Sequence, residues 1–214
     1  MKPRINLGAY GWRHAHWLET FYPADLPEDW QLTYYSNEFN TVLVPADYWQ
    51  AAADLDCADW LDNVHHGFQF FVECHASMLD YISPAELTGY LKKLRPQLSA
   101  LVFLDEKQQM SAAVKDQFTA LIETIEVDVF GSSFLSGANA RNIWREGNPQ
   151  SSSFAWIEND LTDLRAARKI IENFVSQSVN DGKITSEATL IVNHPRLQTN
   201  NLSKLRSLIE IMGY

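Results

Sequence analysis

Residues 68–104, FQFFVECHASMLDYISPAELTGYLKKLRPQLSALVFL, read as a strand, a helix and a second strand. Phe68–Cys74 and Ala100–Leu104 are almost continuously apolar, as strands covered on both faces of a parallel sheet are. Between them Ser83-Pro84-Ala85-Glu86 spells a capping box: Ser83 caps, Pro84 suits the first turn and Glu86 reaches back. Leu87, Tyr90, Leu91 and Leu94 then fall at i, i+3, i+4 and i+7, the spacing of one buried helix face. Two parallel strands need a crossover of this kind, because a tight turn joins only antiparallel ones.

The same alternation runs through the rest of the chain. Ile5–Tyr10, Thr41–Val44, Glu126–Phe130, Phe154–Ile157 and Thr189–Asn193 are the other strand candidates. Helical spacing joins Val114, Phe118, Leu121 and Ile122, then Leu164, Ala167, Ile170, Ile171, Phe174 and Val175 with Thr162 as the cap. Leu202, Leu205, Leu208, Ile209 and Met212 close the chain before Gly213. The expectation is an α/β fold, a TIM-like (β/α) barrel that is incomplete or irregular, with about seven strands. An open doubly wound sheet fits the alternation almost as well. Only Gly131–Ser153, rich in turn residues and without periodicity, breaks the rhythm, and one strand unit is expected to be shortened there. No linker divides the chain, so residues 1–214 are expected to form a single domain.

Composition narrows the function classes. The chain is 46% hydrophobic and 21% charged, with a net charge of −10, and its pI is near 5.0. An acidic surface repels phosphate backbones, and the densest basic group is only Lys92-Lys93-Arg95, so nucleic acid is an unlikely partner. Two cysteines, Cys57 and Cys74, make no disulfide framework. The start lacks a signal-peptide core and no stretch has the length of a membrane span, which points to the cytoplasm. No GxGxxG or P-loop follows a strand, and neither HExxH nor G-x-S-x-G occurs.

The first third carries a long, ordered series: Leu7-Gly8-Ala9-Tyr10-Gly11-Trp12, His16-Trp17, Phe21-Tyr22-Pro23, Leu26-Pro27, Tyr34-Tyr35 and Phe39-Asn40-Thr41-Val42. It resembles the opening of the YecE-like family, also called domain of unknown function seventy-two. Gly67-Phe68-Gln69-Phe70 and Leu190-Ile191-Val192-Asn193 resemble two of its later strands. The resemblance implies a TIM-like barrel with any site at the C-terminal ends of the strands. It also marks departures at those ends. Leu43 stands where the family has an acidic residue, Glu73 where it has lysine, and Leu104 where it has glutamine. Phe130-Gly131-Ser132-Ser133 replaces a polar run, while Glu158 and Asp160 replace an arginine and a histidine. Asn193 is kept. Exchanging cations for carboxylates makes the mouth acidic, and one misplaced unit charge in a partly buried site is worth about 4 kcal/mol. A member altered in this way is expected to have lost the family's original site.

Glu73, His75, Asp105, Glu158, Asp160, Asn193 and His194 all stand at or just beyond strand ends. Glu73, Glu158 and Asn193 are the candidates for acid–base work, and His75 and His194 for holding a divalent Zn, Fe or Mn ion. Trp12, His16, Tyr48 and Asp160 are the candidates for binding a ligand, with Tyr10, Trp17 and Trp49 as further aromatic wall. The competing reading packs these aromatics into the core and leaves the polar groups solvated or hydrogen-bonded. Two function classes follow. One is a non-catalytic interaction or regulatory module with an exposed apolar patch near Phe134–Trp144. The other is an enzyme or ligand-binding barrel whose acidic mouth takes a small neutral or cationic ligand, with or without a metal.

Overall fold

The computed structural model describes residues 2–49, 57–105, 110–135, 140–148, 150–184 and 186–214. In chain order its strands are β1 (Arg4–Tyr10), β2 (Thr41–Val44), β3 (Gln69–Glu73), β4 (Leu98–Val102), β5 (Asp128–Phe130), β6 (Ala140–Arg141), β7 (Trp144–Arg145), β8 (Phe154–Ile157) and β9 (Glu187–Val192). Its α-helices are α1 (Gln31–Ser36), α2 (Cys57–Asp62), α3 (Pro84–Leu94), α4 (Ala112–Ile125), α5 (Leu164–Asn180) and α6 (Thr199–Ile211). The described residues fall into two compact units, Met1–Val42 with Asn142–Tyr214 and Leu43–Arg141, and β2 crosses the boundary between them.

In the first unit β1 pairs in parallel with β9, β9 with β8, and β8 with β7. The β1 register runs from Arg4 opposite Glu187 to Ala9 opposite Val192. Close packing at β1 depends on Gly8, where a Cβ atom would lie 2.1 Å from the Thr41 carbonyl oxygen. The Tyr35 hydroxyl donates to that same carbonyl at 2.9 Å and accepts from the Ala9 amide at 2.8 Å, fastening α1 to β1. Beneath the strands α5 buries Ile171 and Phe174, and α6 buries Leu202 and Leu205. The α5 N-cap is Asp163, which accepts from the Arg165 and Ala166 amides. Thr162, the expected cap, instead hydrogen-bonds Asp160.

The second unit repeats the pattern with β3, β4, β5 and β6 paired in parallel in that order. The capping box at the start of α3 forms as its sequence spells it. Ser83 Oγ accepts from the Glu86 amide at 3.2 Å, and Glu86 Oε2 accepts from the Ser83 amide at 3.0 Å. Leu87, Leu91 and Leu94 are fully buried, while Tyr90 is half-buried. In α4 Phe118, Leu121 and Ile122 are buried below a Ser111 cap.

Nine strands therefore occur among the described residues where about seven were expected. The two extra ones, β6 and β7, have two residues each and lie within Gly131–Ser153. Seryl hydroxyls rather than a helix secure the later part of this segment. Ser152 Oγ donates to the Asn142 carbonyl, and Ser178 Oγ accepts from the Ser152 amide. Trp144 is buried and donates through Nε1 to Gln177 Oε1 at 2.7 Å, and Phe134 is half-buried. The apolar patch expected near Phe134–Trp144 is not found among the described residues there. Among the described residues the exposed large apolar side chains lie elsewhere, at Leu18, Trp30, Tyr34, Leu164, Val179 and Ile211.

Candidate functional site

In the second unit β3 delivers Glu73, Cys74 and His75 to the C-terminal edge of the sheet. Glu73 Oε2 accepts from the Ala46 amide at 2.8 Å, and the Ala46 carbonyl accepts from the Tyr81 hydroxyl at 2.9 Å. The loops after β2 and β3 are thereby laced together through one alanine. His75 caps the short turn Ala76–Asp80, its Nδ1 accepting from the Ser77 amide at 3.3 Å and meeting Ser77 Oγ at 2.7 Å. Cys74 is buried, and desolvation followed by the charge of Glu73 pushes its thiol far above the usual range, so it is inert as a nucleophile. Tyr48 is half-buried and Trp49 fully buried, its ring near Trp60 and Tyr90. Asp105 is exposed.

In the first unit the ends of β1, β9 and β8 carry the remaining candidates. Gly11 leaves β1 with φ 74°, and the chain enters a turn at Ala15–Trp17. The Leu197 carbonyl accepts from Trp17 Nε1 and contacts His16 Nε2, both at 2.7 Å. A carbonyl only accepts, so His16 holds its proton on Nε2. Beside it the His14 ring lies against Trp17, tilted by 50° with ring centroids 4.2 Å apart. Burial, and then the neighbouring His16, push the His14 pKa below the ordinary imidazole range, against hydrogen bonds to the Tyr10 and Gly11 backbone. Its Nε2 is buried and has no hydrogen-bond partner among the described residues. Trp12 is 1% exposed, with Arg13 beside its ring and its carbonyl accepting from the Tyr22 hydroxyl.

Beyond β8, Asp160 Oδ1 accepts from the Thr162 hydroxyl at 2.7 Å and the Thr162 amide at 3.1 Å. Those two bonds lead in holding its carboxyl below the usual range, helped by Arg196 and His194. Arg196 also lies 3.4 Å from Asp160 Oδ2. Past β9, His194 Nδ1 accepts from the Arg196 amide at 3.2 Å. Glu158 is exposed and Asn193 half-buried, the latter's amide continuing the β8–β9 ladder to the Ile157 carbonyl at 2.8 Å.

One local rule accounts for much of this. His75 to Ser77, Asp160 to Thr162 and His194 to Arg196 are each a side chain accepting from the amide two residues on. Asn159 to Leu161 and His65 to Gly67 repeat it. Such side chains imitate a backbone turn, which a strand needs where it ends. The partners Ala46, Ser77 and Arg196 were not singled out by sequence reasoning, and Thr162 was read only as a helix cap; for Ser77, Thr162 and Arg196 the two-residue spacing was the available signal.

Among the described residues no group of three or more His, Cys, Asp or Glu side chains is placed to hold a metal ion. A cleft of about 510 Å³ does occur in the second unit, at the N-terminal ends of β4 and β5, lined by Arg95, Ser99, Glu123, Glu126 and Asp128. Its Arg95 donates to the Ile125 and Glu126 carbonyls and its Asp128 pairs with Arg141. That end of a barrel sheet serves stability, while chemistry gathers at the other end.

A model of the family described as protein of unknown function DUF72 matches residues 6–107. Solved proteins labelled with the same family match the fold over nearly the whole chain, the first from Thermotoga maritima at 14% identity and TM-score 0.63, covering 97% of this chain and 99% of that one. Residues 6–107 carry the DUF72 match, and the fold is that of solved proteins labelled DUF72. A DUF72 protein from Enterococcus faecalis is similar at 9% identity and TM-score 0.58, over 96% of this chain and 95% of that one. The chain is also similar to YcjR of E. coli, a 3-keto-D-glucoside 4-epimerase, at 8% identity and TM-score 0.53, over 98% and 100% of the two chains. At these identities the likeness shows the fold alone, an incomplete α/β barrel. No curated protein sequence matches the chain. Among the described residues no helix is long and apolar enough to cross a membrane.

Proposed function

We propose that this chain is a single-domain cytoplasmic interaction module of the DUF72 family that has lost the family's original site. One observation carries the reading. Glu73, His75, Asp160 and His194, four of the side chains best suited to chemistry, each accept a hydrogen bond from a backbone amide. A lone pair that closes a turn is withdrawn from a metal, and for these four groups the bond explains why a polar residue stands there at all. The account of one domain is supported by solved DUF72 proteins that match the chain end to end.

Elemental analysis of protein purified without chelator or metal resin tests the reading. It predicts no stoichiometric Zn, Fe or Mn. About one equivalent of metal that disappears in the Glu73→Ala/His75→Ala double variant would overturn it, since structural metal binding is tight enough to survive purification.

A second reading rests on His14. Its buried, unpartnered Nε2 lone pair suits a small neutral ligand that donates one hydrogen bond beside Trp17. This would make the chain a ligand-binding barrel. The test is a screen of small polyols by heat of binding, in which a saturable signal abolished by His14→Phe favours this reading over the first.

A further inference from the structure

The chain has seven tryptophans. Six are at most 8% exposed, whereas Trp30 is 61% exposed. Trp30 takes a helical conformation as it opens α1, so Tyr34, four residues on and 37% exposed, lies on the same helix face. The Tyr34 ring is held edge-on against Phe21 at 5.2 Å and Tyr22 at 5.8 Å. Leu18, 44% exposed, bridges to Tyr22 through the backbone. Rigid, partly exposed Trp and Tyr side chains of this kind are the anchors of protein interfaces.

The charge around them is net negative. Residues 18–38 contain Glu19, Asp25, Glu28, Asp29 and Glu38 and no lysine, arginine or histidine. Arg13 pairs with Glu28 at 3.5 Å and Arg206 with Glu38 at 3.0 Å. Five carboxylates against those two guanidinium groups leave three net negative charges beside the aromatic face.

We infer that this face is a docking surface for an arginine-bearing segment of a partner protein. The inference rests on the interaction-module reading and names the partner's chemistry. A guanidinium is planar and weakly hydrated, so it stacks on Trp30 or Tyr34 while its N–H groups reach Asp29. Lysine offers the charge without the flat face. The carboxylates repel nucleic acid and anionic lipid from the same surface.

The experiment titrates the whole chain with an oligo-arginine peptide, following the heat of binding, a readout that survives the loss of Trp30. The expected result is saturable binding that Trp30→Ala weakens about tenfold and Asp29→Lys weakens similarly. An oligo-lysine peptide of equal charge should bind less tightly. Glu187→Lys, a charge reversal at the exposed first residue of β9 and outside residues 18–38, should change affinity far less than Asp29→Lys. Equal affinity of wild type and Trp30→Ala, equal effects of the two charge reversals, or self-association of the wild type that Trp30→Ala abolishes would each overturn the inference. Failure of the functional reading would show separately, as bound metal lost with Glu73 and His75 whatever the state of Trp30.

Discussion

Glu73 is where a single side chain separates the two accounts of this protein. Its carboxylate is the acceptor for the Ala46 amide, so removing it strands a part-buried donor. Glu73→Ala is expected to lower unfolding free energy by about 1–3 kcal/mol, with Glu73→Gln closer to wild type because an amide oxygen still accepts. Urea unfolding checks both variants. His14 supplies a pH signature. Burial holds its folded pKa below the ordinary value, so as pH falls the unfolded chain takes up the proton first. Stability is therefore full above about pH 6.5 and declines below it toward the folded pKa. The charged or titratable group facing it is His16, whose ring lies 5.4 Å away. Unfolding measured between about pH 5 and pH 7.5 should show a shallower slope in His14→Gln; an unchanged slope would assign it to other groups. Gly8 is the third decisive residue. A methyl group there meets the Thr41 carbonyl at 2.1 Å, backbone that cannot step aside. Gly8→Ala should cost about 3 kcal/mol or prevent folding, as a melting curve of the variant would show.

At the scale of elements, what the sequence made legible follows the strength of each local signal. The Ser83–Glu86 box is a short, self-contained hydrogen-bond pattern, and α3 begins where it says. Ser83→Ala should remove about 1 kcal/mol, a loss readable as a lowered melting temperature. Strand ends were less certain because apolar runs continue past the ladder. Phe103 stays buried and its amide still bonds the Phe130 carbonyl, although β4 ends at Val102. Glu126 reads as the first residue of a strand and instead closes α4 in the left-handed conformation at φ 57°. Asp163 beat Thr162 as cap of α5 because Thr162 was already engaged by Asp160. The expected site suffered from the same ambiguity in sharper form. A polar residue just past a strand suits a catalytic mouth and a turn equally well, and sequence carries no distance to an amide. His75, Asp160 and His194 differ from solvated surface groups only in what lies two residues ahead.

Across the whole molecule, four rings of the aromatic series in the first third are buried, three of them bonded to the backbone. Trp12, Trp17, Tyr22 and Tyr35 are at most 1% exposed, and the indole of Trp17 and hydroxyls of Tyr22 and Tyr35 each bond a backbone carbonyl. Those bonds let large amphipathic rings be buried without stranding a donor. Buried, bonded rings of this kind hold a fold, and a chain at 14% identity to a solved relative keeps the architecture. The central claim is that the polar groups at the strand ends hold loops. Amide hydrogen exchange by NMR tests it directly, comparing wild type with Glu73→Ala. The claim predicts that the Ala46 amide is protected in wild type and exchanges much faster in the variant, while the amides of β4 and β5 are unchanged. An Ala46 amide that exchanges at the unprotected rate in wild type would contradict it, and would return Glu73 to the list of groups available for chemistry.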